Sequence, residues 1–482
     1  MAGIVSFGAY LPRLRLERMG IMQSMGWLAP GLITAAQGER SLCYWDEDAL
    51  TIAVAASRDC LVGMDKSKID AVFLASTSLP FADRSNAGML AATLNLKEEL
   101  SSADFTSTQK AGTTALVAAL DTVRAGDKKQ VLVTASDHRL TKSSWFYEMW
   151  FGDGAASLLL GKENVIAELL GSHSVTLDFV PHYRGSHEKY DYNWEERWIR
   201  DEGYMKIYPQ AISGLLKKTG TNIKDVAKLC YPCFLGRAHG EIAKALGAAP
   251  QQVAGNMHAE AGECGTAHPL ILLVRELEQA KPGDKIIVAG FGQGSDALLF
   301  QVTDQIKDLP KRSGVSGSLA RRKPEKTYTK LLKFNELIET EMGIRAEVSN
   351  QTALSTLFRD RKLILGFVGG RCQKCGTPQI PSQRICVKPG CGAVDSQEDY
   401  EFADQPAKIL TYTADMLAVS VDPPAFYGMV EFEKGGRMMM DFTDCDAKAV
   451  EVGVPVKITF RKKYFDRERG FTGYFWKAVP QA

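Results

Sequence analysis

The chain has 482 residues, and its 58 Lys and Arg nearly balance its 57 Asp and Glu, for a net charge of +1. That balance gives no electrostatic footprint for nucleic acid or an anionic membrane surface. No apolar run reaches the ~18 residues of a membrane span, and MAGIVSFGAYLP has no basic stretch ahead of its apolar residues, so it predicts a first strand and not a secretory signal. At roughly 100–200 residues per domain the length allows two or three domains. Of the ten cysteines, Cys372, Cys375, Cys386 and Cys391 cluster, while Cys43, Cys60, Cys230, Cys233, Cys264 and Cys445 are scattered through apolar sequence. This is the usage of a reducing cytosol and not of a disulfide framework.

Residues 1 to about 305 alternate short β-branched runs with amphipathic helical stretches, which predicts an α/β fold. Ile4–Tyr10 predicts a strand, and Asp48–Val62 has apolar residues at helical spacing. Ile69–Ser76 predicts a buried strand and Asn86–Leu94 a small-residue helix. Ser102–Phe105 then predicts a short strand that runs into a tight turn, after which Ala111, Gly112, Thr113, Thr114 and Ala115 open a helix. Such an elbow is where α/β enzymes hold a nucleophile, because a helix N-terminus stabilises developing negative charge. Gln130–Ala135 predicts another strand, followed by the polar turn Ser136–Asp137–His138–Arg139 and the Gly-hinged strand FGDGAASLLLG from Phe151.

The second half repeats the grammar. Leu229–Phe234 predicts a strand, Gly240–Leu246 and Pro269–Ala280 predict helices, and Lys285–Gly290 predicts a strand that turns through FGQGSDALLF. Both halves end in strand, Gly-rich turn and apolar strand, which predicts an internal duplication over 1–165 and 166–305. Residues 306–330 are rich in Lys, Arg, Ser and Gly and read as a solvated basic linker. A docking strip for phosphate groups is the alternative there. Residues 331–368 read as a helical segment, with one or two helices between Tyr328 and Phe358.

From Gly369 the chain reads GGRCQKCGTPQIPSQRICVKPGCGA. The Cys372–Cys375 knuckle and the wider Cys386–Cys391 pair have the spacing of a structural four-cysteine zinc ribbon over 369–398, with Zn–S near ~2.3 Å. Free thiols or a redox pair are the alternatives. No open ligand position is evident, so no catalysis is expected at the metal. Residues 399–482 contain about five strand-like runs with Gly-containing turns, the pattern of a small barrel.

Several stretches resemble hydroxymethylglutaryl-CoA synthase of the archaeal type: GAYLPRLRLER from Gly8, DALTIAVAASRDCL from Asp48, IDAVFLASTSLPFADRSNA from Ile69, VTASDHRL from Val133, FGDGAASLLLG from Phe151 and AKPGDKIIVAGFGQGSDA from Ala280. The elbow is similar to that of the wider ketoacyl synthase III group. The resemblance implies a thiolase-like duplicated five-layer α-β-α-β-α fold, a homodimer through the first half, and an acyl-CoA thioester as substrate. The ribbon and barrel resemble the zinc-ribbon/OB-fold domain that accompanies such enzymes, which implies structural Zn2+ and a thiolase partner. Binding of single-stranded nucleic acid by the barrel is set aside on the neutral charge.

The family synthase uses an acylated Cys, a Glu and a His. Matching places Gln109 at the Cys, Thr77 at the Glu and Leu235 near the His, with His239 the nearest imidazole. A carboxamide is no nucleophile, so the resemblance implies the fold without ordinary acyl transfer at the elbow. In some ketosynthase-like domains Gln at this point keeps the oxyanion hole and removes acylation. Enolate stabilisation would serve aldol addition, retro-aldol cleavage and decarboxylation alike. The loop NMHAEAGECGTAHP from Asn256 is dense in reactive types, with His258, Glu263, Cys264 and His268 as candidates for acid/base work or a thiolate–imidazole pair. The alternative is that Cys264 packs as a small hydrophobe and the histidines cap the next helix. Gly112, Gly292 and Gly294 are the candidate thioester- and CoA-binding positions. The sequence thus points to an enzyme making or breaking a C–C bond beside a thioester. A non-catalytic scaffold bridging a thiolase is the alternative.

Overall fold

The computed structural model describes residues 2–341 and 352–481. The chain divides into two compact units, one of Met1–Cys43, Asp48–Ala91 and Leu96–Leu331, the other of Tyr44–Glu47, Ala92–Asn95 and Leu332–Ala482.

The first unit is built on nine strands: β1 (Gly3–Tyr10), β2 (Ile69–Ala75), β3 (Ser101–Phe105), β4 (Gln130–Asp137), β5 (Gly154–Gly161), β6 (Ala167–Thr176), β7 (Lys228–Cys230), β8 (Lys285–Gly292) and β9 (Gly294–Val302). Their order is β7-β8-β9-β6-β1-β5-β4-β2-β3. The pairing is the same on both sides of the centre. β2 runs parallel to β4, and β4, β5 and β1 alternate antiparallel. Likewise β7 runs parallel to β8, and β8, β9 and β6 alternate. The duplication expected from the two Gly-rich turns is therefore a repeated pairing scheme.

Four helices cover these strands. α1 (Ala49–Cys60) starts at a capping box between Asp48 and Thr51 and packs on β1, β4 and β5. α2 (Ala111–Ala125) and α4 (His268–Leu277) pack against strands of both halves, whereas α3 (Met205–Thr219) packs on β6, β8 and β9. The layers thus run α1, first strands, α2 with α4, second strands, α3. This thiolase-like layering buries the small-residue face of α2 (Ala111, Ala115, Ala119) against the apolar face of α4.

Residues 306–330 do not form the expected solvated linker. They fold as a 3-10 turn (Asp304–Asp308), a helix (Gly314–Ala320) and a strand (Lys323–Glu325) parallel to Leu14–Glu17. Two of their basic side chains hydrogen-bond strand-end carbonyls. Arg312 donates to Phe7 O at 2.9 Å and Arg321 to Leu11 O at 3.0 Å, while Asp59 accepts from the backbone of Ser313 and Gly314.

The helical segment is Tyr328–Phe334, followed in the second unit by Leu354–Arg359 and Arg361–Gly366. The expectation of helix across 342–351 lies outside the described residues. A three-stranded ribbon of β10 (Val368–Cys372), β11 (Pro378–Gln379) and β12 (Gln397–Glu401) follows. The barrel has six strands where about five were expected: β13 (Ala407–Ile409), β14 (Thr413–Asp415), β15 (Ala425–Phe432), β16 (Arg437–Asp441), β17 (Pro455–Asp466) and β18 (Phe471–Pro480). The single run Ala407–Asp415 breaks because Leu410 and Thr411 both donate to Met429 O, a bulge that splits it in two. A parallel bridge between Phe442 and Ala478 joins the far strands.

Candidate active site

The elbow is formed as the small residues predicted. Beyond β3 the chain turns at Ser107, which takes φ of 70°, and α2 starts at Ala111 with no side chain capping its first N–H groups. Uncapped donors at a helix N-terminus favour negative charge nearby. Gln109 stands just ahead of them, half-buried. Its Nε2 donates to Thr77 Oγ1 at 3.2 Å, and its Oε1 is buried without a partner. Lys110 is buried and its Nζ lies 3.0 Å from Asp296. Gly292 lets two backbones approach, since a Cβ there would stand 3.2 Å from Gln109 N and collide with Thr108 Oγ1.

Asp137, buried in the polar turn after β4, ties the elbow to its neighbours. Its Oδ1 accepts from Thr77 N at 2.8 Å, Ser76 Oγ at 3.0 Å and Ser78 Oγ at 2.8 Å. Its Oδ2 accepts from Thr266 N at 2.8 Å. A carboxylate with this many donors is fixed in place, and so is the loop that presents Thr77 to Gln109.

Gln109 opens on a narrow cavity of about 50 Å³. Its apolar walls are Tyr147, Phe151, Tyr204, Tyr208, Phe234 and Phe291. One side is ionic. Arg139 is buried, pairs with the Glu263 carboxylate, donates to the Glu263 carbonyl at 3.2 Å and lies 3.8 Å over the Phe151 ring. Burial disfavours the guanidinium, but Glu263 and Asp191 outweigh it and hold the Arg139 pKa above its ordinary value. Arg184 pairs with Asp191 at 2.7 Å and also donates to Thr77 O.

The hairpin His182–Tyr183/Tyr192–Asn193 completes the lining with His182 and Asn193. Burial first, then the Arg139 charge, hold the His182 imidazole down to about 4, so the ring is neutral at pH 7. Asn193 Nδ2 is buried without a partner. Sequence reading missed Arg139, His182, Asp191 and Asn193 as site residues. The 162–228 stretch contains no dense motif, and Arg139 was noted only as part of a turn.

The loop 256–269 delivers less to the cavity than its composition suggests. Glu263, Gly265 and Pro269 line it. His268 is buried with both ring nitrogens engaged by backbone: Nδ1 accepts from Cys264 N at 2.9 Å and Nε2 faces Asn256 O at 2.8 Å. Cys264 is fully buried among apolar neighbours, and burial pushes its thiol pKa well up. The expected Cys264–His268 thiolate–imidazole pair is therefore not assembled. His258 lies beside Trp150, and its carbonyl accepts from Arg18. His239 lies against Tyr231, with ring centroids 4.7 Å apart and the planes tilted by 46°. Burial lowers the pKa of His239, His258 and His268 alike. None of the three lines the cavity with Gln109. Gly112 is packed by Thr266 O inside the fold, and Gly294, with φ of 102°, turns between β8 and β9 against Val175 O. Of the three glycines, Gly292 is the one set against the elbow.

The first unit is similar to known proteins over most of its length. A family model of 3-oxoacyl-[acyl-carrier-protein] synthase III C terminal matches residues 216–300. The hydroxymethylglutaryl-CoA synthase of Caldivirga maquilingensis is 29% identical over 347 residues, 71% of this chain and 99% of the relative. That of Methanosarcina acetivorans is 32% identical over 319 residues, 64% of this chain and 91% of the relative. The chain belongs to the hydroxymethylglutaryl-CoA synthase family. Among solved structures, one of an HMG-CoA synthase complexed with CoA superposes with a TM-score of 0.61 at 19% identity, covering 73% of this chain and 94% of that one. A 3-oxoacyl-(acyl carrier protein) synthase III from Pseudomonas aeruginosa PAO1 superposes with a TM-score of 0.56 at 20% identity, covering 64% and 99%. Both show the thiolase-like fold.

At the elbow Thr77 and Gln109 are in contact, as a hydroxyl and an amide. In the second unit, a family model described as the C-terminal OB-fold domain of ChsH2 matches residues 400–461. The ribbon ahead of it brings Cys372, Cys375, Cys386 and Cys391 together, with Sγ atoms 3.9 Å apart for Cys372–Cys391 and 3.5 Å for Cys375–Cys386. Four thiolates at ~2.3 Å from a tetrahedral Zn2+ stand about 3.8 Å apart. The donor set and its spacing fit that ion.

Proposed function

We propose that this protein makes or breaks a C–C bond adjacent to the carbonyl of an acyl-CoA thioester, without forming an acyl-enzyme at the elbow. The observation that carries this reading is Gln109 at the head of α2, its amide oxygen unpartnered, in the lining of a cavity that also holds Arg139–Glu263 and neutral His182. The α2 N-terminus and the backbone where Gly292 meets Gln109 would stabilise the thioester oxyanion or enolate. His182 and Glu263 would move the proton, with Arg139 holding Glu263 in place. The small cavity and its aromatic walls favour a short acyl group. Of the candidate loop, this assigns chemistry to Glu263 and leaves His258, Cys264, His268 and His239 as supports.

The test is turnover of short acyl-CoA thioesters by the purified full chain, read in both the condensing and the cleaving direction. Gln109→Ala, His182→Gln and Glu263→Gln should each lower kcat at least ~100-fold while the fold is kept. Mass spectrometry after incubation with acetyl-CoA should find no covalent adduct. Full activity in all three variants, or an adduct on a cysteine, would remove this site.

We further propose that the four ribbon cysteines hold a structural Zn2+ and that the chain is a homodimer. The edge strand β3 is exposed along Ser101, Ser102 and Asp104, ready to extend the sheet with a second copy. A second reading is favoured by a different observation. Tyr412, Met416, Leu417 and Met439 of the barrel are exposed large apolar side chains, and such a patch suits a partner of the thiolase type. In that case the chain serves chiefly as a bridging subunit. Activity that appears only after a thiolase is added would favour the bridge over the enzyme.

A further inference from the structure

One thiol, one imidazole and one carboxylate meet outside the cavity lining. Cys43 Sγ, a ring nitrogen of His138 and a carboxylate oxygen of Asp153 all lie within 4.8 Å of one another. They come from three separate places: the end of the strand Glu39–Leu42, the turn after β4, and the Gly152–Gly154 hinge before β5. Cys43 and Asp153 are buried, whereas the His138 side chain keeps 17% of its surface exposed, so the cluster has one open side.

The carboxylate is held from behind, since Asp153 Oδ2 accepts from Cys43 N at 2.7 Å. Its other oxygen, Oδ1, faces His138 Nδ1 at 3.0 Å. Both atoms are buried, and neither has a further partner. The imidazole is braced through its backbone, with His138 N donating to Ser78 Oγ at 2.8 Å. A carboxylate oxygen and a ring nitrogen at this distance, with a thiol beside them, are also placed to share a cation in exchange for the imidazole proton. Around a tetrahedral zinc, N and O ligands at ~2.0–2.1 Å stand about 3.3 Å apart. Thiolate, imidazole and carboxylate together suit a borderline-soft divalent ion.

We propose that Cys43, His138 and Asp153 form a second metal site, separate from the ribbon cysteines, that takes a divalent ion of the zinc class. Three protein ligands leave the fourth position open on the His138 side. Binding displaces the Cys43 thiol proton to solvent. Because Ser78 bridges His138 to Asp137, the ion also stiffens the loop that carries Thr77.

The experiment is a metal count on the full chain, loaded with excess Zn2+, desalted and measured by inductively coupled plasma mass spectrometry. Two zinc ions per chain are expected. Cys43→Ser and His138→Ala should each hold one, as should the double variant Cys372→Ser/Cys375→Ser. A single zinc in the unmodified protein overturns the proposal without reference to any variant. So does a folded His138→Ala protein that still holds two.

Discussion

The loop 256–269 and the hairpin 182–193 teach opposite lessons about the same cavity. The loop packs two histidines, a cysteine and two glutamates into a few residues, yet sends one charged side chain, Glu263, to the cavity wall. The hairpin carries no recognisable motif, yet contributes His182 and Asn193 and, through Asp191 and Arg184, half of the ion-pair network. What separates them is direction. In the loop the reactive groups turn inward and satisfy the backbone, as His268 does for Cys264 and Asn256. In the hairpin they face the space a ligand would fill.

The largest effect should come from the residue that joins the two regions. Arg139→Met leaves Glu263 and Asp191 without their shared buried cation. It should destabilise the first unit by about 3–5 kcal/mol, read as a shift in urea midpoint, and should abolish thioester turnover. An equally stable, active Arg139→Met protein would break the link between hairpin and loop.

Next is the loop's own histidine. His268→Ala strands the Cys264 N–H and the Asn256 carbonyl and should cost about 2–3 kcal/mol. If His268 only holds the loop, the refolded variant keeps its kcat pH profile. A changed profile would return His268 to the chemistry.

The hairpin histidine should show itself through pH. Its pKa of about 4 lies below the ordinary 6.5, so the unfolded chain binds an extra proton between those values. Stability is then complete above pH 6.5 and falls as pH drops toward 4, by about 3–4 kcal/mol at most. His182→Gln should flatten that part of the melting-temperature profile. Retention of the full slope would place the acid sensitivity in the loop histidines instead.

The smallest effect is expected at the loop's thiol. Cys264→Ala removes one sulfur from a packed core and should cost under about 1.5 kcal/mol, with turnover within a factor of two. A large loss of rate would restore the thiolate reading of this loop.

Elements with strong local signals were legible in advance. The elbow, the Asp48 cap, the Gly-hinged strands and the cysteine knuckles all depend on contacts within a few residues. The 306–330 segment was misread because its charges resemble those of a solvated linker. Its partners, Phe7, Leu11, Asp59 and Glu278, are remote in sequence and supply acceptors that composition does not reveal. The barrel's sixth strand was hidden for a similar reason, since its bulge is set by pairing with Met429.

Family membership, the presence of Gln109 at the elbow and the spacing of the ribbon thiols were all determined by the amino-acid order alone, because each is a matter of residue identity over short intervals. Which imidazoles face the cavity, which acid pairs with Arg139, and that Cys43 meets His138 and Asp153 were decided only by tertiary structure. Those facts depend on the orientation of side chains delivered by strands and loops many residues apart, and periodicity records burial without recording which buried group is left unpartnered.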